Sequence, residues 1–222
     1  MSLRICGNRQ IKTLPGLATR PTPSRVREAL FNIWQGTIAN CRWLDICTGS
    51  GSMGAEALCR QAASVTGIEQ SAKACAIIQQ NWQQVANSSQ EFHVLRGSAI
   101  AKLATLTQQQ FDRIYFDPPY ASDLYEPVLN AIASQEMLAP HGEIAIEHSH
   151  LRSAQAIAGL EICRQKVYGN TALTFYTRCS DSPTQVETPS PSLSPLPFSP
   201  SPSLPLSLSS FLRGFYFLII KL

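Results

Sequence analysis

Closely paired cysteines are missing from this chain. Its 222 residues include seven cysteines, yet no two of them stand in a Cys-x-x-Cys arrangement. Zinc sites commonly use this spacing, and disulfide frameworks commonly use an even number of cysteines, so we expect neither a metal site nor a disulfide network. Scattered, odd-numbered thiols are typical of a reducing compartment, which predicts a cytoplasmic protein. The cysteines are Cys6, Cys41, Cys47, Cys59, Cys75, Cys163 and Cys179.

Long hydrophobic segments are also absent. Residues 1–7 hold no sustained apolar run of the kind found in a signal peptide. Residues 211–222 are apolar, but a segment of 12 residues is too short to cross a bilayer. We therefore expect no membrane span. Residues 182–210 contain eight prolines and ten serines, a composition that cannot bury a core and predicts disorder.

Charge is scarce and unevenly placed. Charged residues make up 15% of the chain, and the net charge is only +3. Residues 1–42 nevertheless hold seven basic side chains and a single acidic one, Glu28, which gives this segment a charge of +6. A basic segment ahead of a near-neutral body favours contact with nucleic-acid phosphates. The alternative is a solvated basic flank.

A helix is predicted shortly after residue 20. Thr22 is a good N-cap, and Pro23 suits the first helical position. An apolar stripe at helical spacing follows between Val26 and Trp34, which leaves Arg25 and Arg27 on other faces. We therefore expect the helix to pack on a core while its guanidinium groups stay available.

Strands and helices alternate from residue 43 onward, which indicates an α/β domain with helices on both faces of a mostly parallel sheet. The turn residues Gly169-Asn170 predict a closing antiparallel hairpin in this seven-stranded sheet. The predicted organisation is a basic arm at 1–21, the α/β domain at 22–180 and a tail at 181–222. The predicted strands are 43–47, 64–68, 92–95, 111–116, 143–147, 161–168 and 171–178.

A glycine-rich loop follows the first of these strands. Gly49, Gly51 and Gly54 match the dinucleotide fingerprint G-x-G-x-x-G, which alone leaves open a nicotinamide dinucleotide or S-adenosylmethionine. Either nucleoside would lie at the carboxyl ends of the strands, where Glu69 can accept hydrogen bonds from ribose hydroxyls. Asp45 beside the loop would repel a pyrophosphate but attract the cationic aminoacyl group of S-adenosylmethionine.

The most informative motif is Asp117-Pro118-Pro119-Tyr120, which ends the fourth predicted strand. The prolines fix two φ angles and remove two backbone donors, so a rigid turn presents acceptors from Asp117 and the Pro118 carbonyl. An aromatic ring beside these acceptors suits a planar guest that carries an amino group. The motif therefore predicts methylation of an exocyclic amine on a nucleobase. A plain strand-ending turn with a surface carboxylate is the alternative, and a dehydrogenase has no need of this motif.

Together these stretches resemble the bacterial guanine-N2 methyltransferases of small-subunit (16S) ribosomal RNA. The resemblance spans residues 3–178 and implies a class I methyltransferase fold, S-adenosylmethionine as methyl donor, 16S rRNA or the small ribosomal subunit as partner, and no metal. Ser98 is a departure, since an Asp or Asn commonly contacts the adenine there. The matching stretches are 20–32, Gly49-Ser50-Gly51 with Gly54-x-Glu56-Ala57-Leu58, Glu69, 117–120 and the hairpin 168–171.

Fourteen residues are the candidate site. Two other functions remain open: a DNA methyltransferase acting on adenine N6 or cytosine N4, and a non-catalytic RNA-binding relative. The chain shows no extra domain for reading duplex DNA, and a binding module need not keep both Asp117 and Glu69. The candidates are Asp117, Pro118 and Tyr120 for catalysis; Asp45, Thr48, Gly49, Ser50, Gly51, Glu69, Gln70 and Ser98 for the cofactor; and Arg20, Arg25 and Arg27 for RNA.

Overall fold

The computed structural model describes residues 2–13 and 24–179. The predicted helix start at Thr22 and Pro23, the candidate Arg20 and the predicted tail at 181–222 lie outside the described residues. The described strands are β1 Ser2–Arg4, β2 Gln10–Lys12, β3 Arg42–Ile46, β4 Ser64–Glu69, β5 Glu91–Arg96, β6 Phe111–Phe116, β7 Leu138–Ser149, β8 Leu160–Tyr168 and β9 Thr171–Arg178. The described α-helices are α1 Ser24–Ile33, α2 Ser52–Cys59, α3 Ala72–Val85, α4 Ala99–Leu103 and α5 Tyr125–Ser134.

Seven strands form one sheet in the order β5-β4-β3-β6-β7-β9-β8. The strands from β5 to β7 run parallel, and β9 pairs antiparallel with both β7 and β8. This arrangement confirms the predicted fold class. The chain leaves β3 towards β4 on one side and returns to β6 on the other, so the topological switch point lies between β3 and β6. In open α/β sheets ligands bind in the crevice at this point.

The sheet separates two hydrophobic cores. One core joins the sheet to α1, α2 and α3, with Trp34, Trp43 and Trp82 among its fully buried side chains. The other core joins the opposite face to α4 and α5. Because the central strands are covered on both faces, β3 and β6 are buried almost throughout. No helix among residues 2–13 and 24–179 is long and apolar enough to cross a membrane.

Residues 2–13 form a hairpin that packs on the α/β domain. The Cys6 amide donates to Glu56 Oε2 in α2 at 2.9 Å. The Asn81 side chain in α3 pairs with Lys12, accepting from its amide at 2.8 Å and donating to its carbonyl at 2.9 Å. The Arg9 guanidinium donates to the Val85 carbonyl at 3.1 Å. Backbone and side-chain contacts therefore fix this part of the basic segment against α2 and α3.

Six of the seven predicted strands agree with the structure to within one residue at each end. The exception is β7, which begins at Leu138 and not at 143, despite Pro140 and Gly142. An irregularity in its pairing with β6 between Phe111 and Arg113 accommodates this stretch. Gly169, at a φ of 63°, and its neighbour join β8 to β9 through the predicted two-residue turn.

Candidate active site

The glycine-rich loop leaves β3 at the switch point and is held mainly by backbone contacts. Three of its residues have positive φ: Cys47 at 65°, Gly49 at 61° and Gly51 at 79°. Thr48 is buried, and its hydroxyl lies 2.8 Å from the Asp45 carbonyl and 3.1 Å from the Ile68 carbonyl, both of which can accept its proton. Its side chain therefore ties β3 to β4 and points into the protein. Ser50 is also buried, and its carbonyl accepts from Asn81.

Glu69, at the end of β4, closes the loop from the other side. Its Oε2 accepts from the Gly49 amide at 2.9 Å, and its Oε1 accepts from the Ser71 amide at 2.8 Å. Each carboxylate oxygen can accept more than one hydrogen bond, so both keep capacity for a further donor. The Gly97 amide donates to the Glu69 carbonyl at 3.0 Å, which brings Ser98 to the same turn. Gln70 and Ser98 are exposed there.

Asp45 lies beneath the loop, with 1% of its surface exposed. Its Oδ2 accepts from the Gly54 amide at 3.1 Å. Gly54 is the third residue of α2, whose N-cap residue, Gly51, offers no side chain, so Asp45 supplies the missing cap from a neighbouring strand. Burial raises the pKa of Asp45 to about 7, and the nearby Glu69 charge adds to the rise while the Gly54 amide opposes it.

The glycines of the fingerprint serve two different purposes. A Cβ on Gly51 would lie 2.8 Å from Trp82 Nε1, and one on Gly54 would overlap the same indole. Trp82 Nε1 also donates to the Gly51 carbonyl at 2.8 Å. Gly51 and Gly54 therefore make room for a core tryptophan. A Cβ on Gly49 would meet no atom within 4 Å, so this glycine alone borders open space.

The Asp-Pro-Pro-Tyr turn lies beside the glycine loop. The Asp117 amide donates to the Ile46 carbonyl at 3.2 Å, which joins the ends of β6 and β3. Pro118 is buried and Asp117 half-buried, while Pro119 is exposed and its carbonyl accepts from the Ser122 amide at 2.8 Å. The predicted cofactor loop and the predicted catalytic turn are therefore neighbours at the carboxyl ends of β3 and β6.

Tyr120 is held by its hydroxyl while much of its ring stays accessible. Its oxygen lies 3.0 Å from Glu147 Oε1, to which it donates, and 2.9 Å from Thr171 Oγ1. The side chain is nevertheless 41% exposed. Burial raises the pKa of this phenol, followed by the effects of the nearby Glu147 and Asp117 charges, against the Thr171 hydrogen bond. Tyr120 therefore remains protonated at neutral pH.

Sequence reasoning missed three residues around this turn. Glu147 lies in β7 and is 3% exposed, and Thr171 begins β9. Tyr125, the first residue of α5, is also buried, and its hydroxyl has no hydrogen-bond partner in the part of the chain that the structure describes. The Arg152 guanidinium lies 3.9 Å above the Tyr125 ring. For Glu147, the available signal was a carboxylate at the end of the predicted strand 143–147.

The candidate RNA-binding arginines differ in their surroundings. Arg25 is exposed on α1. Arg27 is 4% exposed, its Nη2 donates to the Arg4 carbonyl at 2.7 Å, and its Nε lies 3.6 Å from Glu56 Oε2. The prediction that Arg27 keeps its guanidinium available is wrong, because the buried carboxylate of Glu56 draws it into the interface between α1 and α2.

A concave region of about 460 Å³ lies at the amino-terminal ends of β3 and β6. Its cations already have partners. Arg42 makes two side-chain hydrogen bonds to Asp112, each of 3.0 Å, and Arg113 donates to Thr37 Oγ1 at 3.1 Å and to the His141 carbonyl at 3.2 Å. This region is separate from the switch point and offers no comparable set of reactive groups.

Comparison with known proteins agrees with this geometry. The family described as Conserved hypothetical protein 95 matches residues 3–177. The chain belongs to this family. Ribosomal RNA small subunit methyltransferase D from Haemophilus influenzae is 34% identical over 169 residues, which are 76% of this chain and 88% of that protein. The resemblance to the small-subunit rRNA methyltransferases is thereby confirmed.

Two solved structures are similar in fold to this chain. The yhhF protein from Escherichia coli superposes with a TM-score of 0.69 at 31% identity, covering 80% of this chain and 98% of its own. The rRNA methyltransferase aviRa from Streptomyces viridochromogenes superposes with a TM-score of 0.58, covering 74% of this chain and 88% of its own. At 13% identity this second likeness shows a shared fold alone.

The residues at the switch point fit an S-adenosyl nucleoside. Glu69 keeps acceptor capacity on both oxygens, as a ribose diol requires, and the space beside Gly49 lies next to it. Because Asp45 is buried, the half-buried Glu69 is the carboxylate of this pair that can face a ligand. Within the described part of the chain, no group of three or more His, Cys, Asp or Glu residues could hold a metal ion.

Proposed function

We propose that this protein is an S-adenosylmethionine-dependent methyltransferase that acts on the N2 amino group of a guanine in small-subunit (16S) ribosomal RNA. The observation that carries the proposal is the hydrogen bond from the Asp117 amide to the Ile46 carbonyl, which sets the Asp-Pro-Pro-Tyr turn beside the glycine loop. The relationship to ribosomal RNA small subunit methyltransferase D supports the rRNA substrate. The reducing compartment expected from the cysteines is consistent with ribosomes as the target.

The proposed reaction needs help at the amino nitrogen. S-adenosylmethionine, when bound, supplies a methyl group on a sulfonium. The lone pair of a guanine amino group is delocalised into the ring, so the nitrogen must pyramidalise and gain positive charge as it attacks. The Asp117 carboxylate and the Pro118 carbonyl accept from its two hydrogens and favour that change. Preorganised dipoles of this kind typically contribute about 3 kcal/mol each.

Alignment and proton removal complete the reaction. Holding two reactants in line can supply roughly 7–11 kcal/mol of the barrier. The rigid Pro-Pro turn and the accessible ring of Tyr120 hold the base in the required plane. After transfer, the nitrogen loses a proton, which the half-buried Asp117 carboxylate can take and pass to water. No covalent intermediate with the protein is needed.

The target guanine must leave its stack to reach this crevice, at a cost of a few kcal/mol. An unpaired loop nucleotide lowers that cost, which suits RNA. We propose that the exposed Arg25, together with Arg20, contacts phosphates near the target. Arg27 is not part of this proposal because its guanidinium is buried.

A methyl-transfer assay tests the function directly. The full chain is incubated with tritiated S-adenosylmethionine and, in parallel, small ribosomal subunits from cells lacking the protein, naked 16S rRNA and duplex DNA. We expect label in at least one RNA sample, which releases N2-methylguanosine on digestion to nucleosides. Label in duplex DNA would favour the DNA-directed alternative, and no label in any sample would contradict the proposal.

A further inference from the structure

Glu147 is the point at which the substrate side of the crevice is anchored. Its two carboxylate oxygens accept from two different tyrosines: Oε2 from the Tyr115 hydroxyl at 2.6 Å and Oε1 from the Tyr120 hydroxyl at 3.0 Å. The side chain is 3% exposed. Burial of a carboxylate is costly unless its charge is satisfied by hydrogen bonds, so this carboxylate is tied to the groups that satisfy it.

The two tyrosines differ in how firmly they are placed. Tyr115 lies inside β6 and is 1% exposed, so its hydroxyl is a fixed donor. Its bond holds Oε2 of Glu147 in the core. The other oxygen then points to Tyr120, which lies on a turn outside any strand. Through Glu147, the turn that carries Tyr120 is therefore linked to the buried strand β6.

Thr171 provides the second anchor for Tyr120. It is the first residue of β9, it is 8% exposed, and its Oγ1 lies 2.9 Å from the Tyr120 oxygen. Glu147 faces Leu173 across the β7–β9 pair, so both anchors belong to the same rigid two-strand unit. The phenol oxygen is thus held twice, while the ring keeps an accessible face.

We propose that Glu147 is a positioning residue: it fixes the Tyr120 ring at the angle at which the ring stacks on the target base. This inference rests on the proposed function, in which Tyr120 contacts the base. With 3% of its surface exposed, Glu147 lies beneath the turn, and in this proposal it touches neither reactant. Its contribution is therefore to pre-order a ring that would otherwise have to be ordered by the RNA.

A double-mutant cycle tests this role. Because hydrogen bonds to a charged group are strong, we expect Glu147→Ala to lower kcat/KM for the ribosomal substrate about tenfold to a hundredfold. Calorimetry should show S-adenosylhomocysteine affinity within about twofold of wild type. Glu147→Gln, which can still accept from Tyr120, should recover most of the loss. In a Tyr120→Ala background the Glu147→Ala change should have almost no further effect, because the ring it positions is gone.

Glu143→Ala is the matched control. Glu143 lies four residues earlier on the same strand and accepts from Trp34 Nε1 at 2.8 Å. It too anchors an aromatic side chain, but one that packs in the core between α1 and the sheet. We expect this variant to lower the melting temperature and to leave kcat/KM within about twofold. If Glu147→Ala lowers kcat/KM by the same factor with and without Tyr120, the positioning role is overturned.

A readout without turnover separates this inference from the proposed function. In protein labelled with 3-fluorotyrosine, the fluorine signal of Tyr120 is assigned by its loss in Tyr120→Phe. We expect Glu147→Ala to shift and sharpen that signal as the ring gains freedom, and Glu143→Ala to leave it in place. An unchanged Tyr120 signal in Glu147→Ala overturns the inference, whereas an inactive wild-type protein with a shifted signal overturns only the proposed function.

Discussion

The two halves of the crevice are built in opposite ways. On the proposed cofactor side, Glu69 and Asp45 accept from backbone amides in the glycine loop, at Ser71 and at the start of α2. On the proposed substrate side, Glu147 accepts from the side chains of Tyr115 and Tyr120. The first half fixes the course of the main chain, and the second fixes the angle of a ring. Substitutions should therefore alter cofactor binding in one half and handling of the base in the other.

Asp117→Ala should have the largest effect and sharpen this division. Loss of one preorganised acceptor typically lowers kcat by about a hundredfold to a thousandfold. Because Asp117 lies in the substrate half, S-adenosylhomocysteine affinity should stay within about twofold. Single-turnover methyl transfer and calorimetry measure the two quantities. Asp123→Ala, which removes an exposed carboxylate from the same loop, is the control and should behave as wild type. Near-normal turnover in Asp117→Ala would contradict the assigned role.

Glu69→Ala should affect the other half. The substitution removes the charged acceptor proposed for the ribose. It also releases the Gly49 amide in the loop and the Ser71 amide just before α3. Hydrogen bonds to a charged group contribute about 1.5–3 kcal/mol, so cofactor affinity should fall by a corresponding amount. Calorimetric titration with S-adenosylhomocysteine checks this value. Unchanged affinity would show that the two halves do not divide the work as described.

The local chemistry of the sequence predicted the framework of both halves. Strand positions followed from apolar runs, and Ser71 caps α3 as its residue type indicates, accepting from the Ala74 amide at 3.3 Å. Asp123 and Glu126 have the spacing of a capping box, but α5 begins at Tyr125 behind Leu124, with no side-chain cap. Such a motif cannot show which residue the packing of Tyr125 selects as the helix start.

Partners distant in sequence account for the rest. Glu147 meets Tyr120 across 27 positions, and Arg27 meets a buried glutamate in the next helix. The apolar stripe of α1 predicts that its arginines face solvent. It contains no information about Glu56, the buried carboxylate in α2 that compensates the charge of Arg27. The glycines were found by motif, but the reason for Gly51 and Gly54 is an indole about 30 positions later, which only the folded chain brings against them.

The smallest expected effect on activity concerns Asp45, whose titration changes the free energy of unfolding and not ligand binding. Its folded pKa of about 7 lies above the value of about 3.9 for an unfolded aspartate. Between these values the folded state keeps a proton that the unfolded state has lost. The stability contributed by protonated Asp45 is thus complete below about pH 4 and is lost as pH rises through 7, at up to about 1.4 kcal/mol per pH unit.

Asp45→Asn removes this titration while it keeps an acceptor for the Gly54 amide. The free energy of unfolding of the variant, minus that of wild type, should therefore rise between pH 5 and pH 8 by about 3 kcal/mol. Denaturant titrations at the two pH values measure it. Asp112→Asn is the control, because hydrogen bonds from Arg42 hold the pKa of Asp112 below its ordinary value, so its contribution is lost only as pH falls well below 5. If this difference in unfolding free energy fell with rising pH, Asp45 would be a solvated carboxylate. The proposed cofactor half of the crevice would then lack a buried residue beneath its loop.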